Sequence, residues 1–372
     1  MTAHENVQQF GRPTPPPIEQ PTGALLRAFE AGQPATVRIE RRCVNRRGEP
    51  RASIGQGTGF FVTPEGGLIS AYHVFDTTGN PARCADQYFA VMHSGERVPL
   101  ELAGFDAYLD IAYAQAAVTE TVPTLSFAAN LPRVGEQLVA IGNSRDDFNA
   151  ARAGRVTRLG VSAGRADFAD NTIELSNSLA PGDSGGPVLN RNGEVVGVVS
   201  YISYSPGSLS STVPLPPFLR GAALTQAYAS YAVPLQAEDG LLGELQAGLM
   251  RDVPVIGFSW QEGFDYDPRT SESYLGERRG PIVFSVQEGG PAWEAGLKSF
   301  VHERVTADNG AVEVLVEADV IVAIDGNPTP TFYELMNVVR KYDIGETIEL
   351  SVQRGKATFR VPLTLAARRA VF

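Results

Sequence analysis

The chain has 372 residues, which is more than one ordinary domain needs and a suitable length for two. Hydrophobic residues make up 43% and charged residues 20%, as in globular proteins, and the net charge of −11 argues against nucleic acid as a partner. No apolar run approaches the roughly 20 residues that a membrane helix needs, so we predict no membrane span. The four His are scattered and the two Cys are far apart, so we predict neither a metal site nor a cofactor.

The amino-terminal residues 1–23 are rich in proline and are predicted to form an extended tail. This tail is either disordered or an arm that docks on a neighbouring subunit. It contains no basic region followed by an apolar core, so no signal peptide is visible, and a cytoplasmic location stays open beside an extracytoplasmic one. Cys43 and Cys84 leave the question undecided, because they form either a disulfide in an oxidising compartment or two free thiols.

Residues 24–235 are predicted to form one β-rich domain. A short helix at 24–31 is followed by short β-rich segments that turn residues separate from one another. The predicted strands begin at Val37, Gly59, Leu68, Tyr88, Ile111, Leu138 and Val195. Many short strands without helical crossovers predict antiparallel barrels or a sandwich. The Ser-, Pro- and Gly-rich segment 203–223 is predicted to be a long surface loop.

A second, mixed domain is predicted over residues 253–367, after a weakly helical linker at 236–252. Its predicted strands begin at Val255, Ile282, Val320 and Ile348. The clearest helix of this domain begins after Thr331, whose hydroxyl can cap the helix while Glu334 completes a capping box. The sequence therefore predicts two domains.

The segment most informative about chemistry is Gly182-Asp-Ser-Gly-Gly-Pro187. A serine hydroxyl becomes a useful nucleophile only when a base takes its proton and nearby donors stabilise the oxyanion. Small residues around Ser184 let the backbone turn tightly and let a substrate carbonyl approach. We therefore predict Ser184 as a nucleophile, with an oxyanion hole within Gly182, Asp183 and Ser184. The alternative is a glycine-rich hairpin turn, which the length of the motif disfavours.

His73, which closes an apolar strand, is the predicted base. The other histidines lack supporting context: His4, His93 and His302. A lysine base is excluded from the first domain because the first lysine of the chain is Lys298. The predicted third member is Asp110, at the start of an apolar strand, where a carboxylate needs a hydrogen-bonding partner. Asp106 is the alternative carboxylate. The order His–Asp–Ser is that of the chymotrypsin-like double barrel rather than of subtilisins or α/β-hydrolases.

Several motifs together resemble the protease core of the HtrA/DegP family. They are Gly57-Thr-Gly-Phe-Phe-Val, Ser70-Ala-Tyr-His73-Val, Asp110-Ile-Ala, Gly182-Asp-Ser-Gly-Gly-Pro-Val-Leu-Asn and Tyr231-Ala-Val-Pro. The resemblance continues into the second domain, where Glu288–Lys298 and Ala318–Gly326 are similar to signatures of the family's PDZ module. It implies a mostly β protein, with a chymotrypsin-like double β-barrel followed by a PDZ-like α/β domain. It also implies a serine endopeptidase that degrades unfolded or misfolded proteins.

The resemblance also implies which residues bind substrate. Ser178, six residues before the nucleophile, forms the base of the primary specificity pocket, and Leu179 and Ile202 line its walls. A pocket without an acid predicts cleavage after small-to-medium apolar residues. The segment Ser200, Tyr201 and Ile202 offers an edge to which an extended substrate adds as a strand.

In the predicted PDZ domain, Ile256, Gly257 and Phe258 resemble the loop that captures a terminal carboxylate through backbone amides. The resemblance implies regulation by C-terminal peptides, a homotrimer and an extracytoplasmic, periplasmic setting. Two departures from the family pattern are an insertion at Ser299–Glu317 and an enlarged loop at Tyr204–Leu219. Two other functions stay open: a latent or inactive protease that acts as a chaperone or scaffold, and an esterase that acts on small acyl substrates.

Overall fold

The structure is a computed structural model that describes residues 17–44, 50–76, 85–144, 147–161, 171–203, 229–260, 264–271, 274–306 and 312–372. It contains two compact units, of which the first ends at Arg251 and the second runs from Asp252 to Phe372. The predicted tail before residue 17, Cys84, the side chain of Cys43 and the predicted loop at 204–219 lie outside the described residues. Within the described ranges, no helix is long and apolar enough to cross a membrane.

The first unit begins with helix α1 (Gly23–Gly32) and a 3₁₀ turn at Gln33–Ala35, and six strands then form an antiparallel barrel. These strands are β1 (Thr36–Val44), β2 (Pro50–Phe61), β3 (Gly67–Ala71), β4 (Ala85–Val91), β5 (Arg97–Asp106) and β6 (Ile111–Ala116). Their order is β5-β4-β1-β2-β3-β6, and the pairing of β5 with β6 closes the barrel. Buried Val98 and Leu100 alternate with exposed neighbours along β5, as expected of a strand with one face on the core.

The next six strands form a second closed barrel. They are β7 (Gln137–Gly142), β8 (Ala150–Val161), β9 (Thr172–Leu175), β10 (Pro187–Leu189), β11 (Val195–Ser203) and β12 (Ala229–Pro234). Their order is β7-β8-β9-β12-β11-β10, with β10 returning to pair with β7. Leu138, Ile173 and Val188 lie in the apolar interior of this barrel. A further apolar cluster joins the two barrels, with Phe60 of the first and Ile141 of the second. The predicted double barrel is therefore confirmed.

Most of the predicted linker belongs to the first unit. It contains helix α2 (Gly240–Gln246), whose Leu245 is buried in the apolar core of that unit. The short strand β13 (Met250–Arg251) then pairs in parallel with the end of β5, with Arg251 opposite Asp106. The chain thus leaves the first unit along an edge of the first barrel.

The second unit combines short strands with three helices among its described residues. Its strands are β14 (Pro254–Val255), β15 (Phe258–Ser259), β16 (Asp265–Tyr266), β17 (Gly280–Pro281), β18 (Ser285–Val286), β19 (Val301–Thr306), β20 (Val312–Glu317), β21 (Val320–Ile324), β22 (Asn327–Pro328), β23 (Thr347–Arg354), β24 (Ala357–Thr364) and β25 (Ala366–Ala367). Its helices are α3 (Pro291–Glu294), α4 (Phe332–Val339) and α5 (Arg368–Val371). The central sheet has the order β22-β21-β23-β24, and the insertion predicted at Ser299–Glu317 contains the β19–β20 hairpin.

Helix α4 begins as the sequence predicts. The Thr331 hydroxyl accepts the Glu334 amide at 3.2 Å and donates to the Glu334 carboxylate at 2.8 Å. The hydroxyl thus satisfies one of the free amides of the first turn, which confirms the predicted cap. Leu335 and Val339, on the inner face of α4, are buried in the core of the second unit.

Candidate active site

His73 and Asp110 meet where strands β3 and β6 pair. Ala71 and Ile111 are opposite each other in this pairing, so the residues that follow β3 and precede β6 lie side by side. His73 lies in a 3₁₀ turn directly after β3, and its Nδ1 lies 2.7 Å from Asp110 Oδ2. The His73 amide also donates to Asp110 Oδ1 at 2.8 Å. The carboxylate therefore fixes both the ring and the backbone of the histidine.

Ser200 provides a third donor to the Asp110 carboxylate. Its hydroxyl donates to Asp110 Oδ2 at 2.5 Å, and Ser200 itself is buried. Sequence reasoning assigned Ser200 to the edge that binds substrate and missed this contact. No local signal could have revealed it, because Ser200 lies on β11 of the second barrel, 90 positions from Asp110. With three donors, the orientation of the carboxylate is strongly constrained.

Ser184 lies in a tight turn between the barrels. Gly182 has φ = 107°, and a Cβ there would lie 2.8 Å from the Asn143 carbonyl oxygen. At Gly185, where φ = 86°, a Cβ would lie 2.1 Å from the Thr58 carbonyl oxygen. Both positions therefore require glycine, as the motif suggested. Ser184 and His73 line the same cleft, together with Ile39, Arg41, Val74, Pro181 and Gly182.

Two of the three amides predicted for the oxyanion hole are available. Across the described residues, neither the Gly182 amide nor the Ser184 amide donates a backbone hydrogen bond. The Asp183 amide, in contrast, donates to the Ala180 carbonyl at 3.0 Å and is occupied. Asp183 contributes its carboxylate to the turn instead.

The Asp183 carboxylate is buried beneath the turn and is held by several donors. Its Oδ1 accepts the Ser144 amide at 3.0 Å, and its Oδ2 accepts the Ser144 hydroxyl at 2.8 Å and the Ala180 amide at 2.9 Å. The Arg152 Nε lies 3.8 Å from Oδ2, and Arg152 also donates to Asp147 at 2.8 Å. Burial raises the pKa of Asp183, although the hydroxyl of Ser144 and the charge of Arg152 act in the opposite direction. A buried cation thus faces a buried carboxylate directly beneath the turn.

The other side of this turn is held by Thr58. Its hydroxyl donates to the Gly182 carbonyl at 2.7 Å and accepts from the Asn143 side-chain amide at 3.0 Å. The Thr58 amide also donates to the Ser184 carbonyl at 2.8 Å. Sequence reasoning recognised the Gly57-Thr-Gly motif but gave Thr58 no role. Thr58 thus holds the carbonyl of Gly182 through its hydroxyl and the carbonyl of Ser184 through its amide.

Two of the residues predicted for the specificity pocket are buried, and the side chains of two others lie outside the described residues. Ser178 and Leu179 are both buried, and Leu179 packs in the apolar interior of the second barrel. The backbones of Tyr201 and Ile202 lie in β11 opposite β12, while their side chains lie outside the described part of the structure. No acidic side chain is present at residue 178.

Asp106, the alternative carboxylate, contacts other groups. It accepts the amides of Tyr108 and Leu109 and a hydrogen bond from Arg251. The carboxylate within hydrogen-bonding distance of His73 is that of Asp110.

In the second unit, Ile256, Gly257 and Phe258 form a buried turn. Gly257 has φ = 90°, and a Cβ there would lie 2.9 Å from Pro291 Cδ. The amides of Ile256 and Gly257 donate no backbone hydrogen bond to any described residue. Next to this turn, the ring of Phe332 at the start of α4 stacks on Trp260 at 4.5 Å. The turn thus offers free amides beside an aromatic surface.

Comparison with known proteins finds two domains in the order that the fold displays. Residues 57–198 match the trypsin-like peptidase domain, and residues 254–365 match the PDZ domain. The chain is 26% identical to a probable periplasmic serine endoprotease DegP-like from Brucella suis, over 98% of this chain and 64% of the relative. It is 25% identical to the putative serine protease HhoA of Synechocystis sp., over 86% of this chain and 72% of that protein.

The fold has a solved counterpart. The structure of the HtrA-type protease AlgW with decapeptide aligns with 93% of this chain and 99% of its own, at 18% identity and a TM-score of 0.50. This likeness supports the fold. The chain spans 64% of the length of the DegP-like relative from Brucella suis.

Proposed function

We propose that this chain is a serine endopeptidase of the HtrA/DegP type, because a match to the trypsin-like peptidase domain precedes a match to the PDZ domain and its relatives include DegP-like endoproteases. The observation that carries the proposal is the His73–Asp110 pair, whose Nδ1–Oδ2 distance is 2.7 Å, in the cleft that Ser184 also lines. Gly182 and Ser184 supply two amides that, among the residues the structure describes, donate no backbone hydrogen bond beside the nucleophile. Nucleophile, base, orienting carboxylate and oxyanion donors are the parts that acyl transfer needs.

The proposed reaction follows from these positions. Asp110 accepts a hydrogen bond from the Nδ1–H of His73 and holds the ring in this tautomer, so the unprotonated Nε2 can take the hydroxyl proton of Ser184 as its Oγ attacks the scissile carbonyl. The Gly182 and Ser184 amides stabilise the oxyanion of the tetrahedral intermediate. His73 then gives the proton to the leaving amine, so the peptide bond breaks and an acyl-enzyme remains. Water, activated by the same histidine, releases the acid and restores the serine.

The proposed substrates are unfolded or misfolded polypeptides. An extended substrate adds as a strand along Ser200, Tyr201 and Ile202. This mode of binding recognises the substrate through main-chain hydrogen bonds, so it suits chains without folded structure. The Ser178 position carries no acid, which supports cleavage after small-to-medium apolar residues rather than after Arg or Lys. Sequencing of the cleavage products tests this preference, and predominant cuts after basic residues would contradict it.

The proposed regulation uses the second unit. The free amides of Ile256 and Gly257 suit a terminal carboxylate, and the stacked rings of Trp260 and Phe332 suit apolar side chains next to it. We expect peptides with an apolar C-terminus to bind and to change the rate of proteolysis. The matched control is the same peptide with an amidated C-terminus, which removes the charge without changing the side chains. Equal binding of both forms would contradict carboxylate capture.

The proposed assembly is a homotrimer, and the proposed location is extracytoplasmic, in the periplasm. The location is supported by the DegP-like relatives, which are described as periplasmic. Light scattering of the full chain tests the assembly, and a monomeric mass would contradict it.

The experiment that tests the activity is degradation of casein by the wild-type chain, by Ser184→Ala and by Ser94→Ala, an exposed serine that serves as a control. Loss of the nucleophile should reduce turnover on the order of a million-fold, while the control should keep full activity. Equal activity of wild type and Ser184→Ala would contradict the proposal.

Two further outcomes separate the alternatives. Hydrolysis of small acyl esters without cleavage of casein would favour the esterase. Inactivity of the wild type towards both, together with no labelling of Ser184 by a fluorophosphonate, would favour the chaperone or scaffold.

A further inference from the structure

We propose that Arg251 positions the catalytic carboxylate Asp110, and that it acts through Asp106 and the turn that joins the two aspartates. The proposal rests on the role proposed above for Asp110. It adds a residue that touches neither the substrate nor the reacting atoms and that lies where the chain leaves the first unit.

Asp106 is fully buried and shapes the turn that ends at Asp110. Its Oδ1 accepts the Tyr108 amide at 3.0 Å and the Leu109 amide at 3.2 Å. Such bonds from an aspartate to amides two or three residues ahead stabilise a turn. Asp110 follows with φ = 57°, a left-handed conformation that non-glycine residues adopt uncommonly. Surrounding contacts must therefore hold Asp110 in this conformation.

Arg251 provides a cation to the other oxygen of Asp106. It donates to Asp106 Oδ2, and its guanidinium lies over the Tyr108 ring, 5.2 Å from the centroid. The Arg251 side chain is 49% exposed and that of Asp106 is 0% exposed, so only the arginine keeps contact with water. A carboxylate without such contact requires a partner. Without the cation, the turn would be drawn towards arrangements in which Asp106 reaches solvent.

The backbone around Arg251 holds the same turn. The Phe105 amide donates to the Leu249 carbonyl at 2.7 Å, and the Ala107 amide donates to the Arg251 carbonyl at 2.8 Å. Phe105 also stacks on Tyr72 at 4.3 Å, and the Tyr72 amide donates to the carbonyl of the catalytic aspartate at 3.0 Å. One continuous set of contacts thus joins three parts of the chain: residues 249–251, the turn that ends at Asp110, and Tyr72, which precedes His73.

A small displacement at this position has a large kinetic effect. A shift of about 1 Å in a catalytic group can reduce the rate on the order of 100-fold. Because Arg251 is not among the residues that line the cleft, its loss should lower kcat while leaving KM nearly unchanged. A residue with a merely structural role would lower the folded fraction instead, without changing kcat per folded molecule.

The test compares full-length variants at a temperature where circular dichroism shows each to be folded. Arg251→Met removes the charge, Arg251→Lys restores it, and Asp106→Asn removes the carboxylate but keeps an oxygen for the two turn amides. The control is Arg360→Met, which removes an exposed arginine from its ion pair with Glu349 in the second unit. Wild type and Ser184→Ala are measured in the same peptide assay.

We expect Arg251→Met to lower kcat about tenfold or more with KM within about twofold, and Arg251→Lys to recover part of the loss. The double variant Arg251→Met/Asp106→Asn should be no worse than the more severe single variant, because both act through one interaction. If Arg251→Met fails to fold, Asp106→Asn and Arg251→Lys carry the test by the same kcat criterion. A kcat of Arg251→Met equal to that of the wild type would overturn this inference but would leave the proposed function unaffected. Equal cleavage by wild type and Ser184→Ala would overturn the proposed function and the inference with it.

Discussion

Replacement of Arg152 by methionine removes the cation beneath the turn that carries Ser184 and keeps a side chain of similar length. Arg152 is 2% exposed and Asp183 is 0% exposed, so water cannot replace the missing charge without rearrangement. Removal of one partner of a buried ion pair destabilises a protein by about 3–5 kcal/mol. The bond from Arg152 to the half-exposed Asp147 adds little, because solvent screens it. We therefore expect the free energy of unfolding of the first unit to fall by about 3–5 kcal/mol at neutral pH.

Urea unfolding can follow the two units separately and can therefore show whether the loss of stability is confined to the first unit. Both tryptophans, Trp260 and Trp293, belong to the second unit, so their fluorescence reports that unit while far-ultraviolet circular dichroism reports both. With a denaturant slope of about 2–3 kcal/mol/M, the urea midpoint of the first unit should fall by about 1–2.5 M. The fluorescence transition should stay unchanged. Arg155→Met, an exposed arginine on the same strand, is the matched control.

The pH dependence of this loss gives an independent check. Burial raises the pKa of Asp183 in the folded state, so its favourable contribution is full below the unfolded pKa and is lost as pH rises through the folded pKa. Without Arg152 the pKa of Asp183 should rise further, because the cation opposes the effect of burial. The loss in Arg152→Met should therefore be smaller at about pH 5 than at about pH 8. A loss below about 1 kcal/mol, or an equal loss at both pH values, would refute the reasoning.

Three further predictions concern other groups. Thr58→Val should lower kcat against casein peptides more than Thr58→Ser does, because only valine removes the hydroxyl that holds the Gly182 carbonyl in the turn that carries Ser184. Burial tends to raise the pKa of Glu174, but hydrogen bonds led by that from Arg158 lower it overall, so the carboxylate stabilises the fold above its unfolded pKa and loses this effect as pH falls. Glu174→Gln should therefore shift the urea midpoint more at about pH 7 than at about pH 3, and equal shifts would contradict this. The hydrogen bond to Asp325 raises the pKa of Tyr342 to about 12. Asp325→Asn should therefore make one tyrosine ionise at a lower pH in an ultraviolet titration.

Local patterns were sufficient to predict the cap of helix α4, whereas the double barrel was distinguished from a sandwich only by the order His–Asp–Ser and by the resemblance to the HtrA/DegP family. Short strands, turn residues and the order His–Asp–Ser all indicate the same architecture, and Thr331 with Glu334 is a signal contained within four residues. The pairing of β3 with β6 then explains why His73 and Asp110, 37 positions apart, lie together. Once the fold is predicted, the pairing of its strands is known, so residues at the ends of paired strands can be expected to lie close together.

Contacts between side chains on different strands could not be predicted in this way. Ser200 reaches Asp110 from the other barrel, and Arg152 reaches Asp183 from β8. Neither pair has a spacing that a local motif could reveal. The predicted linker was a similar case, because the weak helical pattern of residues 236–251 gave no sign that Leu245 would be buried in the core.

Three aspartates surround the candidate site, and the chemistry of their partners separates framework from catalyst. Asp106 pairs with Arg251 and Asp183 lies against Arg152, whereas Asp110 pairs with His73. An arginine keeps its charge at every physiological pH, so the first two carboxylates face permanent cations. A histidine changes its charge near neutral pH, which is what a general base must do. In the proposed mechanism, the two arginine pairs can therefore hold the turns before and beneath the site unchanged, while the His73 ring of the third pair takes up and releases a proton.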